Sequence, residues 1–336
     1  MKKLITYFIV VLLIFITVLL ITLSTIGIET NKFNNFIKEK VSKEKNINLD
    51  LKTIKFKFDP KKLSLFLETE NPNINYLDIM IPVQNLKVYV DVSSVVKSKP
   101  KIYKINISLE ELNVIELSNL SKLIKPSNYK SFFNNKIKDG KLISEIEIFL
   151  DDEGNFNNFI AKGTVRDLQA SFLDDLTLTK TKFSFFADKS DILIKNIFGN
   201  FEKIKILDGD IKVNFENGIK LNSNFNSNLR LNKDLLKKYE KFYKQNNLFF
   251  RLNNIDAELS NNFNITFDKT YKVTDYNYGL SGKLKNSEFE LFESIENELI
   301  EEKINKIYFS DIKFQSVFTP DNVKFNGDGE YSFNNL

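Results

Sequence analysis

Along most of this chain apolar and polar side chains alternate one by one. In TIKFKFDPKKLSLFLET (53–69), Ile54, Phe56 and Phe58 take one side, and Lys55, Lys57 and Asp59 the other. After a turn at Asp59-Pro60-Lys61-Lys62, Leu63, Leu65 and Leu67 resume the rhythm. A period of two predicts β-strands with one greasy and one wet face. The pattern returns at Leu77, Ile79, Ile81 and Val83; at Leu86, Val88 and Val90; at Ile105, Ile107 and Leu109; and at Ile146, Ile148 and Leu150. It continues through Phe183 and Phe185, Ile211 to Phe215, Ile219 and Leu221, and Phe263, Ile265 and Phe267. Turn residues punctuate it at Asn71-Pro72-Asn73, Asp139-Gly140, Glu153-Gly154-Asn155, Asp208-Gly209, Asn217-Gly218 and Gly327-Asp328-Gly329. The expectation is a long antiparallel meander. IKFKFDPKKLSLFL, INISLEELNVIEL and IYFSDIKFQSVF each read as strand, acidic turn, strand.

Helical spacing is scarce. Thr30 or Asn31 caps a short segment with Phe33, Phe36, Ile37 and Val41 on one face. Short helices are expected at 93–98 and 117–124. A better one covers 233–245, with Asn232 as its cap, and Ile295, Leu299, Ile300 and Ile304 suggest another over 293–306. From Leu4 to Ile28 no charge appears, which is enough to cross a bilayer core of about 20 residues. A cleaved signal would carry a shorter apolar run and a small-residue cleavage site; this run contains no Ala, so an uncleaved anchor is expected. The lysines after the span oppose a positive-inside count, but a three-residue head is expected to stay inside, with everything after Glu29 outside.

Three geometries hide one face of a long meander: a two-sheet sandwich, a closed barrel, or a sheet folded lengthwise into a trough. An outer-membrane barrel turns its apolar side outward and does not follow an uncleaved anchor. The expected fold is mainly β, an N-terminal transmembrane helix followed by an elongated antiparallel trough, with the β-sandwich as alternative. A trough leaves an apolar lining that must meet something greasy, and beside an anchor that is lipid acyl chain. The candidate lining is Ile54, Phe56, Phe58, Leu63, Leu65, Leu67, Ile105, Ile107, Ile146, Ile148, Phe183, Phe185, Val213, Phe215, Ile265 and Phe267.

Composition narrows the chemistry. The chain has neither Cys nor His, so thiol nucleophiles, disulfides, Ser-His triads and the commonest zinc ligands are excluded. No phosphate loop or nucleophile elbow is present. Asp151, Asp152, Glu153 and Asn155 lie together but lack the alternating spacing of a calcium loop, and read as a hairpin turn. No enzyme activity, metal or cofactor is expected. The basic residues are nearly all Lys, interspersed with acids, and Arg occurs only at Arg166, Arg230 and Arg251, so nucleic acid is not an expected partner. The excess of Lys, Asn, Ile and Phe matches an AT-rich coding sequence.

The anchor, then IETNKFNNFIKEKV, then LDLKTIKFKFDPKKLSLFLETENPNINYLDIMIPVQNLKVYVDVSSVV, resembles the opening of AsmA-like proteins of the YhdP and TamB type. The shared features are an anchor, a helix, a strand pair with an Asp-Pro turn, an Asn-Pro segment and the Ile81-Pro82-Val83 strand. GTVRDLQASFLDDLTLTKTKFSFFADKSDILIKNIFGNFEKIKILDGDIKVNF resembles the middle repeats, so the likeness spans about residues 1–220. It implies a bacterial inner-membrane anchor, a periplasmic β-groove, phospholipid as cargo moving towards the outer membrane, and an outer-membrane or periplasmic protein partner. The expected division is 1–3 (cytoplasmic tail), 4–28 (anchor), 29–130 and 131–336 (two groove segments), the last boundary falling near 125–140, where KPSNYKSFFNNKIKDG interrupts the strand rhythm. The chain is shorter than the larger members and stops in mid-strand rhythm, which leaves a short member, a truncated one, or one completed by a partner. The rival function is an anchored scaffold assisting outer-membrane protein assembly.

Overall fold

The computed structural model describes residues 2–30, 47–51, 53–61, 64–76, 79–91, 94, 101–116, 136–173, 176–216, 218–237, 250–268, 270, 272–298 and 300–334. The expected helix with Phe33, Phe36, Ile37 and Val41 on one face, that at 117–124, most of 93–98 and most of 233–245 lie outside these residues; Thr30, one of the two expected caps of the first, ends a strand instead. The chain is mainly β, with one long helix and one large antiparallel sheet. Helix α1 is Lys2–Thr25. The strands are β1 Ile28–Thr30, β2 Ile47–Asp50, β3 Ile54–Asp59, β4 Ser64–Glu70, β5 Asn73–Tyr76, β6 Ile79–Ile81, β7 Val83–Val90, β8 Ile102–Leu109, β9 Leu112–Asn113 and β10 Ile137–Leu150. They continue as β11 Phe156–Leu173, β12 Leu176–Ala187, β13 Asp191–Phe201, β14 Ile204–Asn214, β15 Ile219–Asn232, β16 Phe250–Phe267, β17 Val273–Asn297, β18 Ile300–Phe318 and β19 Val323–Phe333. A one-turn helix α2, Lys233–Leu236, follows β15, with the Asn232 side chain accepting from the Leu235 N–H as its cap. The large sheet runs β1-β3-β4-β7-β8-β10-β11-β12-β13-β14-β15-β16-β17-β18-β19, with β9 beside β10; β2-β5-β6 form a small second sheet. From β10 onward neighbours in sequence are neighbours in the sheet, as a meander requires; before it the chain detours into the small sheet, so that β3 follows β1 and β7 follows β4.

The chain divides into two compact units: Met1–Asn135 with Lys141–Thr164 and Ala187–Lys189, and Lys136–Gly140 with Val165–Phe186 and Ser190–Leu336. In the first unit α1 runs into the sheet almost without a linker. The Ile26 and Gly27 N–H groups both donate to the Thr22 carbonyl, and Gly27 adopts φ +79°, a left-handed helix end that glycine tolerates best. β1 begins at the next residue and pairs with β3. Pro82, with no N–H to give a ladder, separates β6 in the small sheet from β7 in the large one. The core of this unit gathers Leu49, Leu51, Ile54, Leu67, Val83, Leu86, Val88 and Val90.

The second unit is built from longer strands whose burial alternates with period two. Along β15, Leu221, Phe225 and Leu229 are half-buried, Ser223, Ser227 and Leu231 are buried, and the asparagines between them are exposed.

Several local expectations are corrected. Residues 293–298 and 300–306 are not helical: they hold the end of β17 and the start of β18, with Ile295 opposite Ile304. The spacing of their apolar residues suits a helix, but the sheet offers ready-made hydrogen-bond partners, and tertiary pairing overrides local preference. Asp139-Gly140, Asp208-Gly209 and Gly327-Asp328-Gly329 are not turns but lie inside β10, β14 and β19. The register shifts just upstream, between Ile206 and Asp208, and at Gly209 the ring of the opposite Phe225 occupies the space a side chain would fill, so the glycine marks a close approach beside a bulge. IYFSDIKFQSVF is not a hairpin but one stretch of β18, kinked by a bulge at Asp311 (φ +54°) between Ser310 and Lys313.

Candidate functional site

In an antiparallel ladder, residues directly opposite one another project to the same face. Register therefore shows which candidate lining residues come together. In the first unit one row runs Ile28, Phe56, Leu67, Val88, Ile105 and Ile148 across six strands. A parallel row holds Phe58, Leu65 and Val90, and another Leu86, Ile107 and Ile146. Ile54, two residues from Phe56 on β3, shares their face. Nine of the predicted residues thus form one continuous apolar face, joined by Ile28, Leu86, Val88 and Val90. Leu63 lies outside the described residues.

This face is covered in part: Ile54, Leu67, Leu86, Val88 and Val90 are buried, and the other predicted residues on it are half-buried. Leu51 lies with Ile54, Leu67, Leu86 and Val88 around a cavity of about 10 Å³, about the volume of one water and too small for a ligand. Ile54 is 1% exposed and Leu67 3%. The half-buried ones are Phe56, Phe58, Leu65, Ile105, Ile107, Ile146 and Ile148.

The opposite face of the same strands is charged and aromatic. Glu68 is buried, accepts from Asn85 Nδ2 (2.9 Å), and pairs with Lys57 (2.6 Å) and Lys87 (3.4 Å). Burial pushes its carboxyl up, but the bonds from Lys57 and Asn85 and the charges of Lys57 and Lys87 outweigh this and hold it below the ordinary value. Tyr89 is buried beside Phe66 (ring centroids 5.3 Å), with the Lys104 ammonium 4.2 Å from its ring centre. Burial, helped by the carboxylates of Asp59 and Glu147, pushes its hydroxyl up to about 12.

In the second unit the rows are longer. One passes Ile192, Val213, Leu221, Ile265 and Tyr276. Another passes Ile194, Ile211, Ser223, Phe263, Tyr278, Phe318 and Val323. Val213, Ile265 and Phe267 of the predicted lining sit on this face. Phe183 and Phe185 follow Thr181 at two-residue steps, and Thr181 lies against Gly199, whose opposite residue is Ile206. Phe215 does not continue the row. It sits on the turn after β14, 39% exposed, its N–H donating to the Ser190 carbonyl.

Aromatic ladders cross this face at two levels. Tyr278 stacks between Phe263 (4.2 Å) and Phe318 (5.4 Å). Phe250, Phe289, Phe309 and Tyr331 meet at 5.0, 5.1 and 6.5 Å. Each such contact contributes about 0.5–1.5 kcal/mol beyond area burial. Between the ladders lies a small polar island: Tyr278 Oη donates to Asn261 Oδ1 (2.9 Å), and Asn261 Nδ2 donates to Ser227 Oγ and the Phe225 carbonyl. Sequence reasoning missed Tyr278, Phe289, Phe309 and Phe318 as lining. The signal was present in Tyr276-Asn277-Tyr278, but the bulges shift the alternation in β17 and β18 and hide it.

Among the described residues no group of three or more acidic residues is placed to hold a metal ion. Asp151 instead ties its own turn, Oδ1 accepting from the Glu153 and Asn155 N–H groups. α1 is long and apolar enough to cross a membrane. Its Thr17, Thr22, Ser24 and Thr25 hydroxyls bond back to carbonyls three or four residues earlier, which suits lipid surroundings. No protein-family model, curated protein or solved structure matches the chain.

Proposed function

We propose that this protein is a lipid conduit anchored in the bacterial inner membrane, which carries phospholipid acyl chains along its apolar sheet face through the periplasm towards the outer membrane. The observation that carries this reading is the junction at Gly27: the anchor passes into β1 within two residues, so the apolar face begins with Ile28 at the membrane end of the sheet. Acyl chains need only non-directional contact, which Phe, Ile and Leu rows provide without polar desolvation. Headgroups remain in water beside the sheet. No step of this reading calls for catalysis. The resemblance to AsmA-like proteins supports the direction of transport and the periplasmic placement of the bulk.

The alternative, a scaffold for outer-membrane protein assembly with a self-buried face, is favoured only by the burial of Leu67 and its neighbours around Leu51. Photo-crosslinking separates the two. A benzophenone side chain replacing Ile105 or Tyr278 in the full chain, irradiated in native membranes containing phosphate-labelled lipid, should capture phospholipid. The same group at Asn106 or Asn277, one residue along and on the other face, should not. Equal labelling at both pairs, or none at Ile105 and Tyr278, overturns the conduit.

A further inference from the structure

A second cavity of the first unit, about 290 Å³, opens on the polar side of the sheet beside the anchor. Its lining is Glu29 of β1, Thr53 just before β3, Lys55 of β3, Glu68 and Glu70 of β4, and Asn71 just after it. Register explains the gathering. Glu29 stands opposite Lys55, and Lys55 opposite Glu68, so all three project to the face that Phe56 and Leu67 turn away from. The helix end fixes the level of the cavity. α1 has 24 residues, about 36 Å of helix against a bilayer core of about 30 Å. Glu29 follows Gly27 by two residues, which places the cavity among the lipid headgroups.

Charge within the cavity is unbalanced. Glu68 is already met by Lys57 and Lys87. Lys55 reaches Glu70 only at 3.9 Å, and that carboxylate is 64% exposed. Among the described residues the Glu29 carboxylate has no ion pair, and the Thr53 hydroxyl and Asn71 side-chain amide have no hydrogen bond. Two carboxylates therefore face one ammonium, with a hydroxyl and an amide beside it. That arrangement is the complement of a zwitterion.

We propose that this cavity holds the headgroup of a phospholipid bearing a primary ammonium, of the phosphoethanolamine kind, from the leaflet around the anchor. The ammonium sits between Glu29 and Glu70, and its three N–H groups give each carboxylate a hydrogen bond. The phosphate meets Lys55, with Thr53 Oγ1 and Asn71 Nδ2 as further donors. A quaternary ammonium has no N–H to give, and an anionic headgroup sets its phosphate against two carboxylates with no cation of its own. Choline and glycerol headgroups are therefore disfavoured. The acyl chains stay in the bilayer beside α1, because the apolar face lies on the other side of the sheet. This site rests on the membrane placement of α1 in the proposed function, but not on movement of lipid along that face.

The test is native mass spectrometry of the full chain in detergent, titrated separately with phosphatidylethanolamine and phosphatidylcholine of identical acyl chains, so that contacts to the chains cancel. Phosphatidylethanolamine should bind on the order of tenfold more tightly. Glu29→Gln or Glu70→Gln should abolish the preference by weakening the ethanolamine lipid alone, and Lys55→Gln should weaken both lipids. Far-UV circular dichroism checks that each variant is folded. Ile105→Asp, on the apolar face, should leave the preference unchanged, so the conduit can fail its crosslinking test while this site stands, and the reverse. Glycerophosphoethanolamine, the same headgroup without chains, should bind far more weakly than the lipid. Equal affinities in the native chain, a preference that neither glutamine substitution reduces, or a soluble headgroup bound as tightly as the lipid overturns the proposal.

Discussion

Glu290, on the polar face of the second unit, is held by three neighbouring side chains. It takes the Arg251 guanidinium through Nε (3.0 Å) and Nη2, the Asn253 amide (2.7 Å), and the Lys233 ammonium (3.5 Å). The Arg251 bonds foremost, then Asn253, lower its carboxyl from the ordinary 4.5 to about 2. A folded value below the unfolded one means stability that is present above pH 4.5 and lost as pH falls through about 2. Glu290→Gln should therefore melt earlier at neutral pH, by about 1–2 kcal/mol, and the gap from the native chain should close between pH 4.5 and 2. Thermal melts of both proteins across that range check it. The Arg251–Glu290 pairing was not legible beforehand. The two residues are 39 positions apart, and only the β16–β17 register makes them opposite.

At the scale of elements, bulges and small residues set where the strands go. Asp311, Asn196 and Lys180 adopt positive φ inside strands, where each irregularity turns the following residues over. This is why Phe309 and Ile312, three apart, share one face of β18, and why strict alternation loses the thread in that stretch. Gly282 of β17 sits where a β-carbon would run into the Glu258 carbonyl of β16. Backbone cannot swing aside as a side chain can, so Gly282→Ala should cost about 1–3 kcal/mol. Chemical denaturation should show a lowered midpoint with an unchanged slope. An equal or higher midpoint would mean that the two strands have room to separate. The hairpins at Asp59-Pro60 and Glu153-Gly154 were readable from their turn residues. The β17–β18 hairpin was not, because Asn297 to Ile300 carries no Gly or Pro and its flanks mimic a helix.

For the molecule as a whole, the decisive contrast is between covered and open parts of one apolar face. Leu67 is buried and lines one small cavity with Leu51, whereas Ile105, two strands further along the same row, is half-buried. Leu67→Asp buries an unpaired carboxylate and should unfold the first unit, a loss of several kcal/mol. Ile105→Asp keeps its carboxylate near water, so the chain should fold while phospholipid capture by a crosslinker at Ile107 falls several-fold. Melting curves and crosslink yield together check the pair. If Ile105→Asp unfolds the protein as Leu67→Asp does, the face is self-buried throughout and the scaffold reading gains.

Much of this was already in the order of residues. Period-two alternation dictates strands, and twenty-five uncharged positions dictate a helix able to span a bilayer, because both follow from local geometry and the cost of exposing apolar surface. The membership of the apolar face was also largely legible, for side chains two apart must share a side. Only the tertiary structure decided which part of that face is buried, which rings stack into ladders, and that Phe215 leaves the row. Those outcomes depend on register between strands that turns and bulges set, and a single displaced residue reverses the face. They are properties of pairing, which no one strand carries in its own sequence.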